Sequence, residues 1–396
     1  MTWVGRTQEH SALVAYARLR EHGVDSACSP LPEDSMRYTL LGRSGIRVSE
    51  FALGTMTFGD NWGWGAPVET STRMLEVYAE AGGNFIDTAN VYTGGVAETI
   101  LGEALHGRWD RFVLGTKFTL QTEAGDPNLA GNHRKNLTRS LEASLRRLKT
   151  DHIDVLWVHA RDTLTPLPEL MRALDDQVRA GKVLHIGVSD WPAWEIAKAN
   201  TLAELRGWSP FIGVQLRYNL LSRSVESELT PMAHAEDLAI LAWGPLAEGR
   251  LTGKYLGGGQ GRLTRGGWDF SGESSDHIVR EVVAIAEAGG WTPAQVAFAW
   301  LRSRAGTVIP LLGATSEQQL RTNLAAADIV LGADTLERLD RISAPDLGFP
   351  HDVMAGEDMI GLVYGDQWRR ILDHRRGSRR PVNDDDRLAP VTAPRR

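Results

Sequence analysis

The feature that most limits the fold of this chain is a series of eight short apolar runs separated by segments of helical period. The runs begin at residues 51 (FALG), 84 (NFID), 112 (FVLG), 153 (IDVLWV), 183 (VLHIGV), 211 (FIGVQ), 238 (LAILAW) and 307 (TVIPLL). They are too uniformly apolar to alternate, which is typical of strands buried on both faces of a parallel sheet. Eight strand and helix units within residues 36–345 predict an α/β fold, a (β/α)8 TIM barrel.

The segments between the runs support this interpretation. In residues 136–149, four leucines form one stripe and the arginines face away from it. An open, doubly wound sheet is the alternative, but it normally has a glycine-rich turn after its first strand. The sequence GTMTFG at 54–59 does not match that pattern, so the barrel is preferred.

The two ends of the chain differ in sequence pattern from the predicted barrel. Residues 1–35 are predicted to be an N-terminal extension, either flexible or the product of a misplaced gene start, with a true regulatory extension as the alternative. The alternating runs of MRYTLLGRSGIRVS at 36–49 predict a β-hairpin.

Residues 346–396 are predicted to be a C-terminal tail over the barrel mouth. One helix is expected at 357–372, and the side chains proposed to cover the mouth are Met359, Leu362, Tyr364 and Trp368. The rest of the tail is rich in Arg, Asp and Pro and is predicted to be disordered.

Composition excludes several classes of protein. The chain has 43 Lys and Arg against 50 Asp and Glu, a net charge of −7, and no basic stripe, which argues against nucleic-acid binding. It has no apolar run of the roughly 20 residues that a membrane helix needs. Cys28 is the only cysteine, so neither a disulfide framework nor a cysteine-based metal site is expected. Charged residues interrupt the apolar N-terminal stretch, so a cytoplasmic protein is expected; the oligomeric state stays open.

Polar residues follow the strands at the end where barrels of this kind carry their chemistry. Asp87 and Tyr92 follow the second apolar run, Lys117 lies at the end of the third, and His159 follows the fourth. Each has a structural explanation on its own, such as a turn cap for Asp87. Together they form a candidate set, because a buried lysine needs a carboxylate partner.

This set is suited to protonating a carbonyl oxygen while hydride reaches its carbon. A phenol has a pKa near 10 and is a poor acid at neutral pH. We expect Lys117 to lower the pKa of Tyr92, and Asp87 to hold Lys117 charged and oriented. His159 would hydrogen-bond the same carbonyl oxygen, and a cofactor would supply the hydride.

FIDTANVY, VLGTKF and IDVLWVH resemble the segments of the aldo-keto reductase family that carry its catalytic Asp, Tyr, Lys and His. The resemblance covers residues 36 to about 344. It implies that Asp87, Tyr92, Lys117 and His159 are catalytic, with Tyr92 as the general acid. It also implies hydride transfer from NADP(H) to a small-molecule carbonyl substrate, without metal or flavin.

Further segments resemble the cofactor site of that family. GVSDW at 187–191 matches the segment that binds the nicotinamide amide, and WGPLAEGRLTGKY at 243–255 matches the loop over the pyrophosphate. GATSEQQLRTN at 313–323 matches the adenosine-phosphate site. The cofactor-binding residues implied are Thr55, Asp87, Ser189, Asp190, Gln215, Trp243, Pro245, Leu246, Gly249, Lys254, Gly313, Thr315, Gln319 and Asn323.

Three positions depart from the common pattern of the family. Asp190 replaces Asn, and an ionised carboxylate can only accept hydrogen bonds. Gln319 stands where many members have Arg, and Thr322 where Glu is common. The loss of a fixed cation weakens the case for a bound 2′-phosphate, although Lys254 or Arg265 could compensate. NADPH is nevertheless preferred over NADH.

The substrate is expected to contact Trp62 and Trp64, together with Tyr92 and His159. Substrate selection is expected to lie in the loops around Trp62, Trp64, Trp191 and Trp268 and in the tail. Such rings stack on aromatic aldehydes and on sugars alike, so an aldehyde, a ketone or a sugar-type carbonyl all fit. The alternative function is a nicotinamide-bound regulatory subunit with vestigial turnover, like potassium-channel β subunits. A barrel isomerase or lyase without cofactor is disfavoured by Trp243 and the loop that follows it.

Overall fold

The computed structural model of the protein describes residues 36–259, 261, 273–354, 356–367 and 370. The chain divides into two units, residues 1–35 and 36–396, of which only the second holds described residues. The expectations for the N-terminal extension, and for Arg265, Trp268 and Trp368, therefore lie outside the described residues.

The predicted hairpin is confirmed, and it closes one end of a barrel. Strands β1 (Tyr38–Leu40) and β2 (Arg47–Ser49) pair antiparallel. The turn between them needs Gly42, which has a φ of +56°; a Cβ there would lie 2.1 Å from the carbonyl oxygen of Ile212. Leu41 is fully buried. The hairpin therefore seals the end of the barrel at which its strands begin.

The barrel itself consists of eight parallel strands in a closed ring, in which the last strand pairs with the first. They are β3 (Ala52–Gly54), β4 (Phe85–Asp87), β5 (Val113–Phe118), β6 (Ile153–Val158), β7 (Val183–Ser189), β8 (Phe211–Arg217), β9 (Ala239–Trp243) and β10 (Val308–Leu312). Each coincides with one of the eight apolar runs, which confirms the (β/α)8 fold. Their uniform apolarity follows from burial on both faces, by the interior on one side and the helices on the other.

Helices surround the ring. The described α-helices are α1 (Val68–Glu80), α2 (Val96–Ala104), α3 (Arg134–Leu148), α4 (Leu167–Arg179), α5 (Ala193–Arg206), α6 (Leu229–Ala235), α7 (Glu273–Gly289), α8 (Pro293–Arg302), α9 (Glu317–Leu324), α10 (Ala333–Ile342), α11 (His351–Met354) and α12 (Glu357–Tyr364). In α3 the predicted stripe of Leu137, Leu141, Leu145 and Leu148 is buried. Among the described residues, no helix combines the length and apolarity that crossing a bilayer requires.

The tail contains a helix where one was expected, but the predicted end of that helix is wrong. Helix α12 ends at Tyr364 rather than 372, because Gly365 has φ +79° and ψ 177° and leaves the helical conformation. Leu362 is 79% exposed and Tyr364 48% exposed. His351 contacts the Glu228 carboxylate at 3.1 Å, which ties the tail to the segment after β8. Coverage of the barrel mouth by the tail stays a prediction.

Candidate functional site

The carboxyl ends of β4 and β5 bring a carboxylate, an ammonium and a phenol into one hydrogen-bonded chain. Lys117 Nζ lies 2.5 Å from Asp87 Oδ2 and donates to the Tyr92 hydroxyl oxygen at 3.0 Å. It also donates to the Thr88 carbonyl oxygen at 2.7 Å. The second carboxylate oxygen, Asp87 Oδ1, accepts from Gln215 Nε2 at 2.5 Å. The amide NH₂ of Gln215 is thus committed to Asp87, and its carbonyl oxygen remains for another donor.

His159 lies beside this chain as the first residue after β6. Its backbone N–H donates to the Phe118 carbonyl oxygen at 3.1 Å. Its ring meets the ring of Tyr92 edge to face, with centroids 5.9 Å apart and planes at 81°. Its Nδ1 is buried and has no hydrogen-bond partner among the described residues. The structure therefore brings together all four residues that the sequence singled out for catalysis.

Burial is the largest single influence on the pKa values of Tyr92, Lys117 and His159. It raises the pKa of the Tyr92 hydroxyl; Lys117 lowers that pKa, but Asp87 raises it again. Burial alone would lower the pKa of Lys117, but the charge of Asp87 raises it overall. Lys117 thus lowers the pKa of Tyr92 as expected, but burial, together with the Asp87 charge, outweighs it and leaves that pKa raised overall.

The histidine is held neutral. Burial, followed by the nearby Lys117 charge, lowers the pKa of His159 well below its ordinary value. A neutral imidazole has one N–H donor and one acceptor nitrogen. His159 can therefore donate to an oxygen placed next to Tyr92 without carrying a charge.

A tryptophan inside the barrel adjoins the acidic member of the cluster, and the sequence analysis missed it. Trp157 of β6 is fully buried. A Cβ at Gly187 would lie 2.2 Å from its ring, at Gly115 2.7 Å and at Gly213 3.0 Å. Three strands thus carry glycine so that one indole fits between them. The Cβ position of Gly115 is also 3.6 Å from Asp87 Oδ1, so this one glycine position borders both the indole and the carboxylate. The available signal was a glycine in each of these apolar runs.

The ends of β7, β8 and β9 form a second polar cluster. Ser189 is buried at the end of β7, and Asp190 follows with φ +56°, a conformation that Asp and Asn tolerate better than most residues. Trp243 donates its indole N–H to Asp190 Oδ1 at 3.0 Å. The guanidinium carbon of Arg217 lies 5.9 Å from the centroid of the same indole. Sequence reasoning missed Arg217, which is two residues after Gln215 and thus on the same side of β8.

The loop after β9 has an unusual backbone. Positive φ values occur at Gly244, Ala247, Glu248, Gly249 and Gly253. Non-glycine residues in this region cost of order 1 kcal/mol or more each, and such strain concentrates at functional sites. A Cβ at Gly249 would lie 2.9 Å from Lys254 Nζ, so glycine lets the ammonium lie against the loop backbone. Pro245 and Leu246 belong to this loop.

The segment after β10 places the predicted adenosine-phosphate residues near one another. Gln319 Oε1 accepts from the backbone N–H of Thr315 at 2.9 Å and from its hydroxyl at 3.1 Å. Asn323 Nδ2 donates to the Gly313 carbonyl oxygen at 3.4 Å. Thr55, predicted to contact cofactor, donates its hydroxyl to the Asp87 carbonyl oxygen at 3.0 Å and is fully buried. The structure thus gives Thr55 a role in holding the end of β4.

The tryptophans proposed for substrate binding divide into two groups. The rings of Trp62 and Trp64, in the loop after β3, lie 5.4 Å apart at 46°, and Trp62 is 41% exposed. Trp191 is buried and packs edge to face on Phe211, and a role in substrate selection for the loop around it stays a prediction. The Trp191 ring belongs to the packing between helices and strands.

Two further observations bear on what the site holds. Two surface cavities, of about 510 and 700 Å³, contain none of the four catalytic candidates. The four candidates converge instead at the carboxyl ends of the barrel strands.

Within the described ranges, no group of three or more His, Cys, Asp or Glu side chains is placed to hold a metal ion.

A comparison with models of known protein families shows to which family this chain belongs. The model of the aldo/keto reductase family matches residues 50–344. The chain belongs to the aldo/keto reductase family. The match includes every barrel strand and all four residues of the Asp87, Tyr92, Lys117 and His159 cluster, and it makes the chain an oxidoreductase.

Individual aldo/keto reductases and related dehydrogenases are similar over most of their length. A norsolorinic acid reductase of Emericella nidulans is 36% identical over 334 residues, which is 81% of this chain and 86% of the relative. An aryl-alcohol dehydrogenase of Pestalotiopsis microspora is 34% identical over 355 residues, 87% of this chain and 91% of the relative. An aryl-alcohol dehydrogenase of Phanerodontia chrysosporium, named for NADP(+), is 33% identical over 366 residues, 85% and 94% respectively.

Proposed function

We propose that this aldo/keto reductase reduces an aromatic aldehyde or ketone to the alcohol with hydride from NADPH, and that Tyr92 donates the proton. The observation that carries the proposal is the hydrogen-bonded chain from Asp87 through Lys117 to Tyr92, with neutral His159 beside it. The preference for aromatic substrates draws on the names of the relatives, which act on aryl alcohols or norsolorinic acid. Exposed Trp62 offers a surface on which an aromatic ring stacks.

The residues present fit a nicotinamide dinucleotide. At the nicotinamide end, Trp243 offers an indole face, Ser189 a hydroxyl and Gln215 a carbonyl oxygen. At the phosphate end, the left-handed backbone of residues 247–249 lies against the Lys254 ammonium, and a side chain at Gly249 would fill that space. When bound, this cofactor supplies the hydride.

The protein's own contribution is the proton and the position of the carbonyl oxygen. As hydride reaches the carbonyl carbon, the oxygen takes the proton of the Tyr92 hydroxyl. The resulting phenolate accepts the N–H of Lys117 that already lies 3.0 Å from this oxygen. Asp87 keeps Lys117 protonated through the step. His159 donates an N–H to the same substrate oxygen and fixes its position.

The test combines binding with turnover. Consumption of NADPH is followed with aromatic aldehydes, diketones and keto sugars, using the wild type and Tyr92→Phe. We expect turnover of the aromatic compounds and a loss of about 10²- to 10⁴-fold in kcat for Tyr92→Phe, with NADPH binding retained in a fluorescence titration. Full activity of Tyr92→Phe would exclude Tyr92 as the acid. Tight NADPH binding with no turnover of any substrate would favour the regulatory-subunit alternative instead.

A further inference from the structure

An acidic side chain lies at the edge of the ring proposed to stack on nicotinamide. Asp190 Oδ1 accepts the indole N–H of Trp243 at 3.0 Å. Asp190 directly follows Ser189 at the end of β7, and its left-handed backbone fixes the direction in which its side chain leaves the strand. Helix α5 begins three residues later, at Ala193, and a helix N-terminus favours a negative charge nearby.

Two charged groups lie against the Trp243 ring. The Asp190 carboxylate accepts the indole N–H at 3.0 Å, and the guanidinium carbon of Arg217 is 5.9 Å from the ring centroid. Removing either group therefore changes the charge next to the ring, in a direction that depends on which group is removed.

We propose that Asp190 and Arg217 set, in opposite directions, the relative affinity of this site for oxidised and reduced nicotinamide. The inference rests on the proposed function, in which Trp243 stacks on the nicotinamide ring. An oxidised nicotinamide ring carries one positive charge and a reduced ring carries none. A carboxylate nearby therefore favours the oxidised form, and a guanidinium disfavours it.

The relative affinity for the two cofactor forms changes the equilibrium of hydride transfer between bound cofactor and substrate. A site that holds the oxidised cofactor more tightly makes the bound reduced cofactor a stronger hydride donor. Asn, the common residue of the family at this position, is uncharged and lacks this effect. In this chain Asp190 thus favours hydride transfer to the substrate, while Arg217 keeps the oxidised product from binding too tightly.

The carboxyl of Asp190 must be ionised for this effect. Burial of the carboxyl raises its pKa overall, although the hydrogen bonds with Trp243 and Ser189 and the charge of Arg217 lower it. The residue is partly exposed to solvent. Repeating the measurements over a range of pH shows whether the effect follows the ionisation of this carboxyl.

The experiment measures the dissociation constants of NADP⁺ and NADPH by fluorescence titration for the wild type, Asp190→Asn and Arg217→Gln. Asparagine retains an oxygen that accepts the Trp243 N–H, so it removes the charge and keeps the hydrogen bond. The ratio Kd(NADP⁺)/Kd(NADPH) is expected to rise roughly fivefold to tenfold in Asp190→Asn and to fall in Arg217→Gln, with a smaller effect at high salt. Asp151→Asn, whose side chain is 96% exposed ahead of β6, is the matched control and leaves the ratio unchanged.

The outcomes separate the two proposals. If each variant changes both dissociation constants by the same factor, Asp190 only positions the Trp243 ring and the inference is overturned. A shift of the ratio in the same direction for both variants also overturns it. Failure of the wild type to bind either cofactor refutes the proposed function itself rather than this inference.

Discussion

Replacing Gly187 by alanine tests whether the indole of Trp157 is as tightly confined as the structure indicates. The new Cβ would lie 2.2 Å from Cζ3 and 2.3 Å from Cε3 of the indole, whereas ordinary contact begins at 3.4 Å. The ring would have to move by 1.2 Å (3.4 − 2.2). Gly115 and Gly213 already bring backbone close to the indole, so that movement meets further contacts. Overpacking of this kind costs about 1–3 kcal/mol, and we expect the upper end of the range.

The assay is urea unfolding of Gly187→Ala beside Gly45→Ala, since a Cβ at Gly45 would meet nothing within 4 Å. The control is expected to change the free energy of unfolding by less than about 0.5 kcal/mol. Trp157→Leu removes the obstructing atoms, so the double variant with Gly187→Ala should be more stable than the sum of the single effects by about 1 kcal/mol or more. If Gly187→Ala unfolds like the control, or if the two substitutions are additive, the indole is not confined.

Three further results are expected. Asp87→Asn leaves the Lys117 ammonium buried without its counter-ion and should lower the free energy of unfolding by about 3–5 kcal/mol; adding Lys117→Met should recover part of the loss in the same urea assay. The pKa of His159 is lower in the folded protein than in the unfolded chain, so the unfolded chain binds the proton first. Stability should therefore fall as pH drops below about 6.5, with a shallower fall in His159→Asn; an unchanged slope would contradict this. Gln319→Arg supplies a cation at the expected 2′-phosphate position and should tighten NADPH binding about tenfold without changing NADH binding; equal changes for both cofactors would count against that position.

The barrel could be predicted because each strand is buried on both faces and so appears as a continuous apolar run. The catalytic cluster could be predicted for a related reason: parallel strands of a closed ring deliver the residues at their carboxyl ends to one place. Asp87 and Lys117 lie in the last residues of their strands and His159 directly follows its strand, and this position alone brings the three together. These are properties of single segments, which a sequence displays directly.

Features that depend on pairs of distant segments could not be predicted. The hydrogen bond between Trp243 and Asp190 joins the last residue of β9 to the residue after β7, and it depends on the relative stagger of these strands in the barrel. The confinement of Trp157 depends likewise on which residues of three other strands face it. The effect of Lys117 on the pKa of Tyr92 follows from the sequence, but the larger opposing effect of burial depends on the packed structure around the phenol.

The hairpin of β1 and β2 closes the barrel of this enzyme at the end where its strands begin. Leu41 is buried at the sealed end, and Trp157 fills the interior above it. Under the proposed function, the hydride donor and the carbonyl compound would therefore both reach the catalytic cluster from the end of the barrel at which its strands finish.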